Sequence, residues 1–598
     1  MTRENSALLG RDRWFVLVVV ATGAVILTLW IGATVSALAS GHAAPPFELS
    51  PLVSSLTRGG GDPSAVWGRP VGPPWVYWSC TAAVALSLAC AGVLFTKVVR
   101  GAPHRSGNAL NVEGLAVRPE VAKAAGARTL MTRAGTLRPS LTKVVVSDVG
   151  LRLGRSRGVD CYASVEDSIV LLGPPRSGKG IHVVINAILD APGAVITTST
   201  RPDNLTATLT ARAKLGPVAV FDPQCLAPGV PSTTRWSPIR GCESPQTALV
   251  RAKALTTGAA RGTTDANFWQ SAAEQAVRCL LHAAALAGKA SQDLYRWSLS
   301  APQAREAVTI LATHPNAAGS WHQALEAILS ADPRQRDSIW AMVTIAFAPL
   351  ADPRVLDAVS PDAGEQFDPV AFLKGRGTVF VLGTSSGASA SAGLVGAFVE
   401  DVAESARRLA ASSRGARLDP PLSMILDEAA NYPLPSLTSL MSEGGGTGIS
   451  TLVVLQSLAQ ARAVWGEHDA SAIWDAAIVK LILGGGSNAR DLDDLSRLIG
   501  QRTDKQHTEN VSADGHRSRS TSTREVPILD SSQLRTLRFG TGVLLLRSAR
   551  PILLELRSWM GRKDAAGLRA DQARLEAHLS QASRLAAPLR VDPAGVTP

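Results

Sequence analysis

The sequence predicts an α/β protein built on a doubly wound, mostly parallel sheet, with an all-α domain inserted into it and two transmembrane helices ahead of it. Three observations carry that expectation. Two long uncharged runs lie near the N-terminus, apolar strand-like runs alternate with helical spacing over most of residues 151–560, and the alternation breaks between 263 and 374. At 598 residues and 45% hydrophobic content the chain is long enough for two or three domains with a sizeable core, which excludes disorder as the default.

From Trp14 to Ser40, "WFVLVVVATGAVILTLWIGATVSALAS", and from Val71 to Thr96, "VGPPWVYWSCTAAVALSLACAGVLFT", no residue is charged. Helices over about 14–39 and 74–96 would each cross a hydrocarbon core of roughly 30 Å. Arg3, Arg11 and Arg13 precede the first run and Lys97, Arg100 and Arg105 follow the second, so the positive-inside rule places both ends in the cytoplasm. The expected order is a cytoplasmic tail (1–13), a membrane anchor with a short external loop (14–97), and a linker opening the cytosolic body (98–150). A cleaved signal peptide is the alternative for the first run, with small residues at Ala37 and Ala39, but the run exceeds the roughly 7–15 residues of a signal core.

The body opens on "DSIVLLGPPRSGKG", a strand over Ser168–Leu172, a tight turn, and then "IHVVINAILD" with helical apolar spacing. Strand, glycine loop and helix in that order are the context of a phosphate-binding loop. Gly173, Pro174, Pro175, Arg176, Ser177, Gly178, Lys179 and Gly180 form the expected cradle. Its backbone N–H groups and the positive end of the following helix attract phosphate, and Lys179 reaches the β and γ phosphates of ATP. Gly180 stands where a Ser or Thr hydroxyl normally ligates Mg²⁺, so the ion must find a protein oxygen elsewhere.

A carboxylate for that task ends another apolar run, "PPLSMILDEAANYP", in which Leu422–Leu426 lead into Asp427 and Glu428. A strand buried on both faces would deliver Asp427 to the metal and Glu428 as general base for the attacking water. The distance in sequence from Lys179 to Asp427 exceeds what a bare nucleotide-binding core needs. Residues 263–374 account for it, since "NFWQSAAEQAVRCLLHAAALAG", "APQAREAVTILATH", "WHQALEAILS" and "RQRDSIWAMVTIAFAPL" carry apolar residues at three- and four-residue spacing.

Strand character surrounds this insertion, at "GAVITTSTRPDNL" and "GPVAVFDPQ" before it, and at "GTVFVLGT", "GISTLVVLQS", "AAIVKLILGGG" and "TGVLLLRSA" after it. The nucleotide-binding domain is therefore expected over 151–262 and 375–560, with a C-terminal helix and tail over 561–598. Gln456, ending the strand after Asp427, is a candidate γ-phosphate sensor. Arg490 and Arg547 are weaker candidates for an arginine acting across a subunit boundary. The polar segment 503–525 reads as a mobile loop.

Sixty Lys and Arg against 49 Asp and Glu give a net charge of +11, which suits nucleic acid or an anionic leaflet. Six cysteines without a CxxC pair suggest neither a zinc site nor a disulfide framework.

The combination of two N-terminal spans with "GPPRSGKG", "VFDP" (220–223), "FWQSAAEQAVRCLLHAAAL", "ILDEAANYPLPSL", "VVLQSLAQ" and "LGGGSNARDLDDLSRLIG" resembles the type IV secretion coupling proteins of the TraG/TraD type. The resemblance runs over nearly the whole chain. It implies a RecA/FtsK-like P-loop ATPase in the bacterial inner membrane, a homo-hexamer around a central channel, that pumps DNA or a relaxase–DNA complex into a type IV secretion channel during conjugation. It implies catalytic roles for Lys179, Glu428 and Gln456, a metal role for Asp427, and ATP with Mg²⁺ as cofactors. Its partners would be single-stranded DNA, relaxase or relaxosome proteins, channel components and the membrane. The helical insert would face the substrate, with Arg261, Arg296, Arg334 and Arg336 available to phosphates. A branch of the family carries Gly after the loop lysine. A double-stranded DNA translocase of the FtsK kind, a protein-export ATPase, and a docking receptor with little hydrolysis are the alternatives.

Overall fold

The computed structural model describes residues 25–47, 61–101, 112–230, 233–257, 266–362, 364–384, 391–511 and 517–586. Two compact units divide the chain, Met1–Ala109 and Leu110–Pro598.

In the first unit a helix over 25–39 is followed by the helices Pro63–Trp67 and Pro74–Gly101. Leu29, Ala33 and Ala37 pack with Trp67, Val71 and Tyr77, and Ser36 Oγ donates to Val71 O at 2.6 Å. Gly32 allows the close approach, because a Cβ there would lie 2.3 Å from Thr81 Oγ1. Among the described residues no helix is long and apolar enough to cross a membrane, so the two expected transmembrane helices are not supported. Residues 14–24 of the first lie outside the described residues, and the remainder falls short of the ~20 apolar residues a crossing needs.

The second unit is organised by one eleven-stranded sheet. Its strands are β1 (Gly150–Ser156), β2 (Val159–Ser164), β3 (Ile169–Leu172), β4 (Val195–Ser199), β5 (Val218–Phe221), β6 (Thr378–Leu382), β7 (Leu422–Leu426), β8 (Ile449–Leu455), β9 (Val479–Leu483), β12 (Thr541–Leu546) and β13 (Ile552–Leu556). The spatial order is β2-β1-β13-β12-β9-β3-β8-β7-β4-β6-β5. From β9 to β5 every pairing is parallel, while β12, β13, β1 and β2 continue the sheet antiparallel. The parallel strands are short apolar runs, fully buried in β3, β4 and β6, as strands covered on both faces must be. Their carboxyl ends share one edge, where ligands of open α/β sheets bind.

Between β5 and β6 the described residues contain no strand. The long helix Ala266–Leu286 buries Ala273, Ala276, Val277, Leu280, Leu281 and Ala284, and the shorter helices pack around it. Asp332 starts the helix Pro333–Phe347 by accepting from Arg334 N at 3.0 Å, with Pro at its first position. Buried His282 holds this block together, with Nδ1 2.8 Å from Cys242 O and Nε2 accepting from Ala318 N at 3.0 Å. The hydrophobic core runs continuously from these helices onto the sheet.

Segment 503–525 differs from expectation. Its described residues belong to a two-stranded antiparallel ribbon, β10 (Gln501–Val511) with β11 (Arg517–Pro527), in register from Gln501↔Pro527 to Val511↔Arg517. Backbone pairing alone makes it a ribbon, and no apolar alternation announces it. The C-terminal helix Ala565–Ala586 also packs on the body. Leu568 meets Ile185, Ala207 and Trp559, while Leu575 and Leu579 reach Leu205 and Leu209.

Candidate functional site

The loop after β3 is fixed first by its backbone. Gly173 N donates to Leu455 O at 3.0 Å, which ties the loop to the end of β8, and His182 N donates to Gly178 O at 2.9 Å. Arg176 (φ 64°) and Gly178 (φ 90°) are left-handed, so the chain curls into a concavity. Gly178 is required twice over, since a Cβ there would also lie 2.7 Å from His182 Cδ2 and 2.9 Å from Phe539 Cε2. The expected helix begins with a π turn, Gly180–Val184, before the α-helix Ile185–Asp190. Lys179 Nζ donates to Gly173 O at 2.7 Å and folds back over the loop. Burial pushes its pKa down, and nearby Asp427 and Glu428 offset part of that.

β7 lies one strand away from β3, with β8 between them. That spacing brings Asp427 and Glu428 to the same edge as the loop. Asp427 is partly buried, desolvation raises its pKa, and it accepts from Asn204 Nδ2 at 2.9 Å. Thr198 Oγ1 donates to the Asp427 carbonyl at 3.0 Å. Glu428 adopts a left-handed backbone (φ 52°, ψ 43°), a strain of about 1–3 kcal/mol for such a residue. Its Oε2 accepts from Thr200 Oγ1 at 2.6 Å and from Asn431 Nδ2 at 3.0 Å. Tyr432, whose hydroxyl donates to Ser199 O and Gly383 O, secures the turn that follows.

Gln456 follows β8 and, with Gly173, Pro174 and Pro175, lines a cavity of ≈ 310 Å³ closed by Asn488, Asp491 and Leu492. Phe539, largely exposed, stands edge-on to His182 at 5.1 Å.

The arginine candidates separate by position. Arg547 sits at the opposite end of the sheet, beside the start of β9, where it donates to Asp167 Oδ1 at 2.8 Å. That placement removes it from the phosphate edge of its own subunit. Arg490 is exposed at the start of the helix Ala489–Ile499 and pairs with Glu467 at 3.6 Å. Arg296 is held by Asp293 and Glu306, Arg336 pairs with Asp337, and Arg261 lies outside the described residues.

Among the described residues no group of three His, Cys, Asp or Glu gathers to hold a metal unaided. The site nevertheless fits a magnesium nucleotide. Its donors are hard oxygens, Ser177 Oγ is buried without a hydrogen-bond partner inside the loop, and the space beside Gly180 is open. Asn204, Thr200 and Asn431 were not read from the sequence. A polar residue after "VITTS" and another after "LDE" were the available signals, with no pattern to link them.

Fold and loop together give a doubly wound α/β core with a glycine loop between a central parallel strand and a helix, the context of a phosphate-binding loop. Residues 421–539 match the family model described as the TraM recognition site of TraD and TraG. Among solved structures, the bacterial conjugative coupling protein TrwB, in an N-terminally truncated unbound form, matches at TM-score 0.53 and 18% identity, covering 71% of this chain and 91% of that one. TrwB with the non-hydrolysable ATP analogue ADPNP matches at 0.51 and 17% identity over 71% and 92%, and TrwB with ADP and Mg²⁺ at 0.50 and 18% over 71% and 91%. No curated protein sequence matches the chain. The structural likeness is one of fold, and with the family match it supports the resemblance to TraG/TraD-type coupling proteins.

Proposed function

We propose that this chain is a conjugative coupling ATPase, binding ATP and Mg²⁺ at the loop 173–180 and using hydrolysis to move DNA, or a relaxase–DNA complex, into a type IV secretion channel. The observation that carries the reading is the meeting of the Lys179 loop with Asp427 and Glu428 at one sheet edge, across the single strand β8. ADPNP and ADP with Mg²⁺ in the TrwB structures are ligands of the kind this loop suits.

In this reading the backbone of 173–180 cradles the phosphates and Lys179 leaves Gly173 O to reach the β and γ oxygens. When bound, Mg²⁺ neutralises charge on those oxygens. Asp427 would help hold the metal, and Glu428, oriented by Thr200 and Asn431, would accept the proton of the attacking water. Gln456 reports the γ-phosphate through the end of β8.

The segments 14–39 and 74–96 would anchor the chain in the inner membrane, a reading supported by their lack of charge and by the basic residues that flank them. Residues 263–374 would be the substrate-facing domain inserted in a nucleotide-binding domain of 151–262 and 375–560, within a homo-hexamer. The family match over 421–539 favours a relaxosome partner.

ATPase activity of the full-length chain in detergent, with and without single- or double-stranded DNA and against Lys179→Ala, tests this function. Turnover stimulated by single strands and absent in the variant is expected. Preference for duplex would favour an FtsK-like translocase, and nucleotide binding without Lys179-dependent turnover a docking receptor.

A further inference from the structure

Gly180 leaves the phosphate loop without the hydroxyl that the magnesium of a bound nucleotide is expected to use, and the structure places another oxygen beside the gap. A Cβ on residue 180 would lie 3.8 Å from Asn204 Oδ1, with no other heavy atom nearby to obstruct it. A hydroxyl carried there and the Asn204 amide oxygen would be immediate neighbours.

Asn204 is 4% exposed, on the helix Asp203–Ala213 that follows β4. The orientation of its amide is set by chemistry, because Asp427 Oδ2 at 2.9 Å is a carboxylate oxygen and requires the donor Nδ2. Oδ1 is thereby turned toward the loop, and among the described residues it accepts no hydrogen bond. Its lone pairs are therefore available to a ligand on the loop side. The helix beneath is rigidly seated. Arg212, eight positions on, donates to Thr378 Oγ1 at 2.7 Å, Ala191 O at 2.9 Å and Gly193 O at 2.7 Å.

Resting on the nucleotide reading above, we infer that Asn204 replaces the missing loop hydroxyl: its Oδ1 is a ligand of the nucleotide's Mg²⁺ while its Nδ2 orients Asp427. A neutral amide oxygen is a hard donor suited to Mg²⁺, and it leaves the charge of the site the same as a Ser or Thr hydroxyl would. One side chain thus serves both positions between which the ion must sit.

The test is Mn²⁺ binding by electron paramagnetic resonance to full-length protein loaded with a non-hydrolysable ATP analogue, with the metal-free affinity of the analogue measured in EDTA. Asn204→Leu should weaken Mn²⁺ about ten- to a hundredfold, leave the metal-free affinity unchanged, and add a water ligand seen as broadening in ¹⁷O-enriched water. Adding Gly180→Ser to that variant should return Mn²⁺ affinity toward the parent value and remove the extra water. Asn204→Ala, which removes the same oxygen with a smaller apolar side chain, should weaken Mn²⁺ in the same way. Parental Mn²⁺ affinity and water count in Asn204→Leu would overturn the inference, as would the same parental result in a folded Asn204→Ala protein if the leucine variant fails to fold. A parent chain that does not bind the analogue even in EDTA would overturn the nucleotide reading itself.

Discussion

Thr200 Oγ1 donates a 2.6 Å hydrogen bond to Glu428 Oε2 across 228 positions of sequence. The bond links the first residue past β4 to the second residue past β7, two strands that are neighbours only in the folded sheet. It fixes the carboxylate proposed as the general base while the backbone beneath it is left-handed. Thr200→Val, which keeps the shape and removes the donor, should lower kcat about tenfold with KM little changed, and Thr200→Ser should restore it. Equal loss in both variants would identify a packing effect instead.

Glu428→Gln keeps the side-chain shape and removes the base. Turnover should fall by about 10²–10⁴ while ATP remains bound, measured as retained nucleotide after rapid filtration. Unchanged turnover would assign the base elsewhere.

Burial holds the Lys179 pKa below the ordinary lysine value. Only the ammonium form attracts phosphate, so nucleotide affinity should be complete below the depressed pKa and fall as pH rises through it. The loss should begin at lower pH than for an ordinary lysine near about 10.4. Lys179→Arg, always charged, should give a flat profile over the same range, whatever its absolute affinity. Fluorescent nucleotide titrations from about pH 7 to about pH 10 would read both.

Gly178 and Gly180 should respond oppositely to alanine. Gly178→Ala places a Cβ 2.7 Å from His182 in a left-handed backbone and should destabilise the protein by about 1–3 kcal/mol. Gly180 is helical with its nearest neighbour 3.8 Å away, so Gly180→Ala should stabilise by about 0.4–1 kcal/mol. Urea unfolding of both variants checks the sign.

The ribbon β10–β11 pairs only with itself. Replacing Thr503–Glu525 with an Asn-Gly turn, which joins Arg502 and Val526 in their existing register, should preserve nucleotide affinity and the unfolding midpoint. A large drop in either would show that the ribbon supports the core.

The sequence by itself determined the parallel strands, the helical insertion and the glycine loop between strand and helix. Each is a local pattern: an apolar run such as Ile169–Leu172 or Leu422–Leu426, a three-to-four spacing such as that of Ala266–Leu286, or glycines around Lys179. The antiparallel edge β1, β2 and β13 was not legible, because its pairing joins residues near 155 to residues near 555. The ribbon hid for another reason, having polar residues on both faces and hence no period-two signal. Only the tertiary structure decided which polar residues serve the site. Asn204 and Thr200 carry no motif, and they matter because β4 lies beside β7, placing the residues that follow it within hydrogen-bond reach of Asp427 and Glu428. It likewise placed Arg547 away from the sheet edge that carries the loop 173–180, since β12 runs antiparallel to β9 and ends at the opposite edge. Hydrophobic periodicity reports burial along the chain, whereas a site is assembled from strand order and direction, which a single sequence does not contain.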